Sequence, residues 1–208
     1  MDRLDTRILY TIGHSNHPLE HFIHLLQRQR IELVADVRSH PVSRFAPQFN
    51  KKNLDSALPR HSIDYRFLGR ELGARPDDPA VYREQRVSFT LLSKAEYFKA
   101  GIESLISLST AVRTAVMCAE KDPLDCHRTW LISALLVQRG LDIRHILGDG
   151  TLETHSAVER RLMDTYKPDG GQLKLFEQSK SHDILVQEAA GQHFKRLYSR
   201  KNARKRTT

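Results

Sequence analysis

Short apolar runs alternate along this chain with stretches whose apolar residues recur every three to four positions. Residues 7–12 (RILYTI), 31–37 (IELVADV), 63–68 (IDYRFL), 112–118 (VRTAVMC) and 142–147 (DIRHIL) read as strands. Between the first two, Leu19, Phe22, Ile23, Leu25 and Leu26 fall at helical spacing behind Pro18, a residue that suits a first helical turn. Further helices are expected over 51–60, 94–108, 129–139, with Gly140 as a C-terminal stop, and 153–166. Residues 69–93 are polar and weakly periodic and read as a long loop. Strands alternating with helices predict an α/β fold, a three-layer domain over 1–166 with a mostly parallel sheet of about five strands. The run KPDGGQ (167–172) ends that domain, and 167–208 reads as a linker and basic C-terminal extension with a loose helix over 184–199.

Composition narrows the class. The chain has 208 residues, of which 39% are hydrophobic, enough to fill a core. No apolar run is long enough to span a bilayer, and the first fifteen residues lack a signal-peptide layout. Two cysteines make no disulfide scaffold, so a reducing, cytoplasmic location is expected. The formal net charge is +8, and residues 193–208 hold seven cations (Lys195, Arg196, Arg200, Lys201, Arg204, Lys205, Arg206) and no acid. The body is therefore close to neutral, about +1, and the tail is basic. Such a tail suits DNA or another polyanion, or a solvated end.

Parallel sheets bind ligands at the carboxyl ends of their strands. Reactive residue types collect there. His14 follows the first strand, Asp36 and Arg38 the second with Arg44 beyond, and Arg70 the third. Cys118, Glu120, Cys126, His127 and Arg128 follow the fourth. His14 is a candidate acid or base, because imidazole titrates near neutrality. Asp36 and Arg38 sit two apart and share a face, as an ion pair or as an orienting group and an anion holder. Pro123 is expected to fix a turn and Asp125 to cap a helix, placing Cys126, His127 and Arg128 in its anion-favouring first turn. A thiol there beside Arg128 gains thiolate character and suits nucleophilic or redox chemistry. Cys118 reads more simply as core. Convergence of Cys118, Cys126, His127 and His14 on zinc or iron is a third possibility, although the seven residues between the cysteines are no standard zinc spacing. Phosphatase, Walker A and dinucleotide signatures are absent.

Five stretches occur in an order that resembles the domain-of-unknown-function 488 family of bacterial and archaeal proteins. They are YTIGHS (10–15), LVADVRSHPVSRF (33–45), FNKKNLDSAL (49–58), IDYRFLGRELG (63–73) and VMCAEKDPLDCHR (116–128). The resemblance implies a small α/β domain and marks His14, Asp36, Arg38, Glu120, Cys126, His127 and Arg128 as its site. It implies no reaction. Where this chain has LGRELG, the family pattern reads closer to LPELGG.

Past the linker, Gln172-Leu173-Lys174-Leu175-Phe176 resembles the pentapeptide by which bacterial replication and repair proteins bind the β sliding clamp. Leu175 and Phe176 would fill an apolar pocket while Gln172 fixes an extended backbone. Packing of the same residues as an edge strand is the alternative. Together these signals predict an enzyme acting on a nucleotide or nucleic acid in DNA repair, with Cys126 as nucleophile or redox thiol and His14 as acid or base. The alternatives are a non-catalytic nucleotide- or DNA-end-binding module recruited by the clamp, and a zinc- or iron-dependent enzyme or sensor using Cys126 and His127.

Overall fold

Strands β1 (Ile8–Gly13), β2 (Leu33–Asp36) and β3 (Asp64–Phe67) appear where the apolar runs predict them. The structure is a computed structural model that describes residues 7–166 and 184–194. A two-residue hairpin, β4 (Tyr82–Arg83) and β5 (Arg86–Val87), precedes β6 (Thr114–Cys118), β7 (Asp142–Ile146) and β8 (Leu152–Thr154). The main sheet has the order β3-β2-β6-β1-β7-β8. Its first five strands are parallel, and β8 returns antiparallel to β7. The sheet thus has six strands where the sequence predicts about five. The sixth is only three residues long, too short to carry a period.

Alternation along the strands builds two cores. Leu9, Leu33, Ala35, Val116 and Ile143 face one layer, with Phe98, Ile102 and Leu105 of α5 (Glu96–Ala111). Tyr10, Ile12, Val34, Ala115 and Met117 face the other, with Phe22, Leu25 and Leu26 of α1 (Leu19–Arg28) and Leu54 of α2 (Lys51–Ala57). Strands buried on both faces are what an all-parallel sheet sandwiched between helices requires. The predicted three-layer architecture is therefore the observed one.

One expectation is corrected and another refined. The stretch 69–93 is no featureless loop. It holds α3 (Gly69–Leu72), a 3₁₀ turn (Pro79–Val81), the hairpin, and α4 (Phe89–Leu92). Leu72, Val81 and Leu92 anchor it in the first core, with Tyr82, Val87, Phe89 and Leu91 packed against them, and elements of two to four residues are too short to show a period. The helix expected over 129–139 is present, its first part wound as a π-helix (Arg128–Ser133) that runs directly into α6 (Ala134–Gln138). All six residues of the π-helical part are buried.

The described residues divide into two units, Met1–His155 and Ser156–Thr208. The second contains most of α7 (His155–Tyr166) and a helix over 184–194, where the Tyr166 hydroxyl lies 3.2 Å from His193 Nδ1. The candidate clamp peptide and the basic residues 195–208 lie outside the described residues. Among the described residues no helix is long and apolar enough to cross a membrane.

Gly13 closes β1 under the loop that follows β6. A Cβ there would sit 1.9 Å from the Glu120 carbonyl oxygen, a backbone atom that cannot swing aside. Gly13→Ala should therefore cost about 1–3 kcal/mol by overpacking. Gly191→Ala meets nothing within 4 Å and removes a helix-weakening glycine, so it should be neutral or stabilising. Thermal unfolding of the two variants tests this.

Candidate active site at the carboxyl edge

Two side-chain networks meet at the carboxyl ends of β1, β2 and β6, one on each face of the sheet. The first is built around Asp36 and Arg38. Arg38 Nε and Nη2 donate to the two Asp36 carboxylate oxygens at 2.9 and 2.6 Å, a bidentate fork. The Arg38 backbone N–H and the Tyr65 hydroxyl also donate to that carboxylate, at 3.0 and 2.6 Å. Arg38 Nη2 further donates to the Phe49 carbonyl, and Nη1 donates to His14 Nε2 at 3.0 Å. His14 Nδ1 donates to the Ser15 carbonyl, and its ring stacks on Phe49 with centroids 4.4 Å apart.

These partners fix His14 as the neutral Nδ1–H tautomer, because arginine can only donate. Burial and the neighbouring Arg38 charge push its pKa down to about 4. Both ring nitrogens are engaged and the side chain is buried. Tyr65 is pushed up by burial and by the Asp36 charge, so it stays a hydroxyl donor. The network is satisfied, and its geometry is that of a scaffold.

The second network lies on the α5 face. Cys118 ends β6, and Glu120 follows two residues later. Asp122, not Asp125, caps the 3₁₀ turn Pro123–Asp125 by accepting from the Leu124 N–H. Asp125 therefore does not cap a helix over Cys126, which is extended (φ −123°, ψ 140°), and the helical segment starts only at Arg128. The turn folds the chain back so that Cys126 and His127 return to Cys118.

Glu120 Oε2 lies 3.1 Å from Cys118 Sγ and 3.2 Å from Cys126 Sγ. His127 Nδ1 lies 3.6 and 4.0 Å from the same two sulfurs. The four donor atoms all fall within 4.8 Å of one another. Both cysteines are free and buried, His127 is buried, and His127 Nε2 has no hydrogen-bond partner.

Arg128, fully buried, braces this loop. Its guanidinium donates to the carbonyls of Glu120 (2.8 Å) and Lys121 (3.4 Å) and to Thr11 Oγ1 (3.3 Å). No carboxylate hydrogen-bonds it among the described residues. Thr11 Oγ1 continues to His145 Nδ1 at 2.7 Å. The two thiols are pushed apart in acidity. Hydrogen bonding to Cys126 and burial drive Cys118 well up. Burial also pushes Cys126 up, but Cys118, the Arg128 charge and His127 outweigh it and hold Cys126 well below the ordinary thiol value. Burial and the Cys126 charge raise Glu120.

The residues expected at the edge thus separate. Cys118, Glu120, Cys126, His127 and Arg128 converge. His14, Asp36 and Arg38 form their own cluster, and His14 Nε2 is bonded to Arg38 rather than turned to the sulfurs. Arg44 and Arg70 are exposed, Arg44 with its guanidinium over the Phe45 ring. The sequence reading did not single out Phe49 or Thr11. Both fall within stretches that carry the family resemblance, YTIGHS and FNKKNLDSAL, and that was the signal that could have found them.

A family profile described as Domain of unknown function DUF488 matches residues 18–135, more than half of the chain. The chain belongs to the DUF488 family. The DUF488 match spans Asp36, Arg38 and the whole Cys118–Arg128 segment, and it begins four residues after His14. No curated protein and no solved structure matches the chain.

The depressed His14 pKa has a signed consequence. The folded protein keeps His14 neutral, and the unfolded chain takes up its proton from about pH 6.5 downward. Stability is therefore full at neutral pH and is lost as pH falls toward 4, with His14 contributing roughly 3 kcal/mol of that loss. Arg38, Asp36 and Arg128 are the charges that face it. Denaturation midpoints at pH 7 and pH 4 should converge in His14→Gln relative to the parent, an equal slope arguing that the proton goes elsewhere.

Proposed function

We propose that this protein is a divalent-metal-dependent enzyme whose centre is the Cys118-Glu120-Cys126-His127 cluster, working on a nucleotide or nucleic acid at the carboxyl edge. The observation that carries this is the meeting of those four donors within 4.8 Å. A tetrahedral zinc site needs donors ~3.3–3.8 Å apart, given metal–nitrogen and metal–sulfur lengths of about 2.0 and 2.3 Å. Four of the six donor pairs lie at 3.1, 3.2, 3.6 and 4.0 Å and all six within 4.8 Å, so small side-chain shifts would close them on one ion.

Charge supports the reading. Two thiolates and a carboxylate around one point repel one another and cannot all stay ionised when no cation is present. A divalent cation neutralises two of those charges, and the buried Arg128 guanidinium neutralises the third. Thiolate and imidazole donors favour zinc or iron over magnesium or calcium. The ion would supply Lewis acidity. Cys118, Cys126 and His127 would hold the ion, and Glu120, the least buried of the four, would be the fourth ligand that gives way to substrate and so leaves the open position that Lewis-acid chemistry needs. Arg128 keeps the loop carbonyls in place and is a positioning residue.

This reading departs from Cys126 as an attacking nucleophile. Its side chain is wholly buried among the other donors, and substrate cannot reach it without opening the loop. A redox thiol pair is the second reading, favoured by the opposed acidities of Cys118 and Cys126. His14, with both nitrogens engaged, orients the edge rather than moving a proton. Recruitment to DNA by a sliding clamp through Gln172, Leu173, Leu175 and Phe176 is part of the same proposal, as is polyanion binding by the 193–208 tail.

Two experiments test this. Elemental analysis of protein purified without a histidine tag should find about one zinc or iron per chain, lost in Cys126→Ser and in Cys118→Ser. Metal-free protein with both thiols open to titration selects the thiol-pair reading. Separately, the full chain should bind a bacterial β clamp with micromolar affinity, and Leu175→Ala/Phe176→Ala should abolish binding. A folded protein that ignores the clamp removes that partner from the proposal.

A further inference from the structure

Phe45 and Val42 are the most exposed of the large exposed hydrophobic residues, 86% and 73% open to solvent, against 39–46% for the others described. Both lie in one loop, residues 39–50, between β2 and α2 at the carboxyl edge. The loop is pinned. The Ser43 N–H donates to Asn50 Oδ1 at 2.6 Å, and Ser43 Oγ accepts from the backbone N–H groups of Phe45 and Ala46. The Lys51 N–H donates to the Pro41 carbonyl at 2.8 Å. Ala46 and Phe49 take the interior positions, and Phe49 is the residue that stacks on His14. An ordered loop that turns Phe45 outward on the His14 side of the sheet is a built surface, not an accident of fraying.

The charge around it has one sign. From Val37 to Leu54 the chain carries Arg38, Arg44, Lys51 and Lys52 and no acid. Arg38 is consumed by Asp36, and three exposed cations remain: Arg44, whose guanidinium lies over the Phe45 ring at 5.1 Å from its centroid, Lys51, whose ammonium lies over Phe67, and Lys52. An exposed ring flanked by exposed cations suits a ligand with a flat π face and a repeating negative backbone.

We infer that Phe45 is a stacking platform for an unpaired base of single-stranded nucleic acid, with Arg44, Lys51 and Lys52 on its phosphates. This rests on the proposed function and narrows its substrate to an unpaired strand. Duplex bases keep their faces covered by their neighbours and offer Phe45 nothing to stack on.

The test is fluorescence anisotropy of a labelled mixed-sequence deoxyoligonucleotide, single-stranded and annealed to its complement, with the full chain. Phe45→Ala should weaken single-strand binding about 5- to 100-fold, the worth of one stacked base. Duplex binding, which draws on the basic tail, should not change. Phe45→Trp should keep the affinity, and its added indole emission should be quenched on binding. The exposed position predicts unchanged thermal unfolding for both variants, which separates lost binding from lost fold. Equal single-strand affinity in Phe45→Ala, unquenched emission at saturation, or Phe45-dependent binding to anionic vesicles in place of oligonucleotide would overturn the inference. Metal content is measured on the same samples. A metal-free protein that binds strand through Phe45 sinks the proposed centre alone, and a metal-loaded protein indifferent to Phe45 sinks this inference alone.

Discussion

The buried fork between Asp36 and Arg38 holds the carboxyl edge in shape. A buried ion pair is stabilising only when its remaining donors and acceptors are met, because desolvating two charges costs several kcal/mol per ion. Here they are met by groups from four separate parts of the chain: Tyr65 from β3, the Phe49 carbonyl from the loop before α2, His14 from the end of β1, and the backbone of Arg38 itself. The pair therefore acts as a tie. It brings β1, β2, β3 and the 39–50 loop to one point. Removing either charge would strand the other in a low-dielectric interior. His14 stays neutral as part of the same arrangement, since a second cation against Arg38 would break it.

The opposite face of the sheet shows the reverse condition. Cys118, Glu120, Cys126 and His127 are brought together as tightly, yet their partners are one another, and His127 Nε2 has none. Buried polar groups left short of partners are uncommon in native proteins and concentrate where function places them. The first network is satisfied within the protein, and the second leaves His127 Nε2 over, which is what the proposed ion would meet. The wide π-type turn that follows at Arg128–Ser133 fits this division, since such turns occur mostly at functional sites.

Much of this was legible in the residues and some was not. The layers and the parallel sheet follow from apolar runs such as LVAD and TAVMC, whose burial on both faces leaves no other architecture. The edge location of the chemistry follows from strand ends alone. The grouping of Cys118 with Cys126 was not legible, because seven intervening residues have no fixed span. The 3₁₀ turn Pro123–Asp125, capped by Asp122, makes that span short. Asp125 next to Cys126 reads as the cap in sequence, and only the backbone path shows that Asp122 does the capping. The partners of His14 were not legible for a related reason. A histidine after a strand and a glycine faces the crevice on paper, but stacking on Phe49 and the Arg38 hydrogen bond turn both nitrogens to protein.

The two networks are not independent. Gly13 lets the Glu120 carbonyl approach β1 closely, and the His14 N–H donates to the Cys118 carbonyl at 2.9 Å. The end of β1 is thus held from one side by the Asp36–Arg38 tie and from the other by the cysteine loop. Arg128 reaches the same strand through Thr11 while gripping the carbonyls of Glu120 and Lys121. His14 and Phe49 also link the end of β1 to the loop that carries Phe45. Both elements invoked for function, the four-donor cluster and the exposed ring, hang from one tie in the core. That shared support accounts for an edge that is rigid where it is buried and still presents an aromatic ring and three cations to solvent.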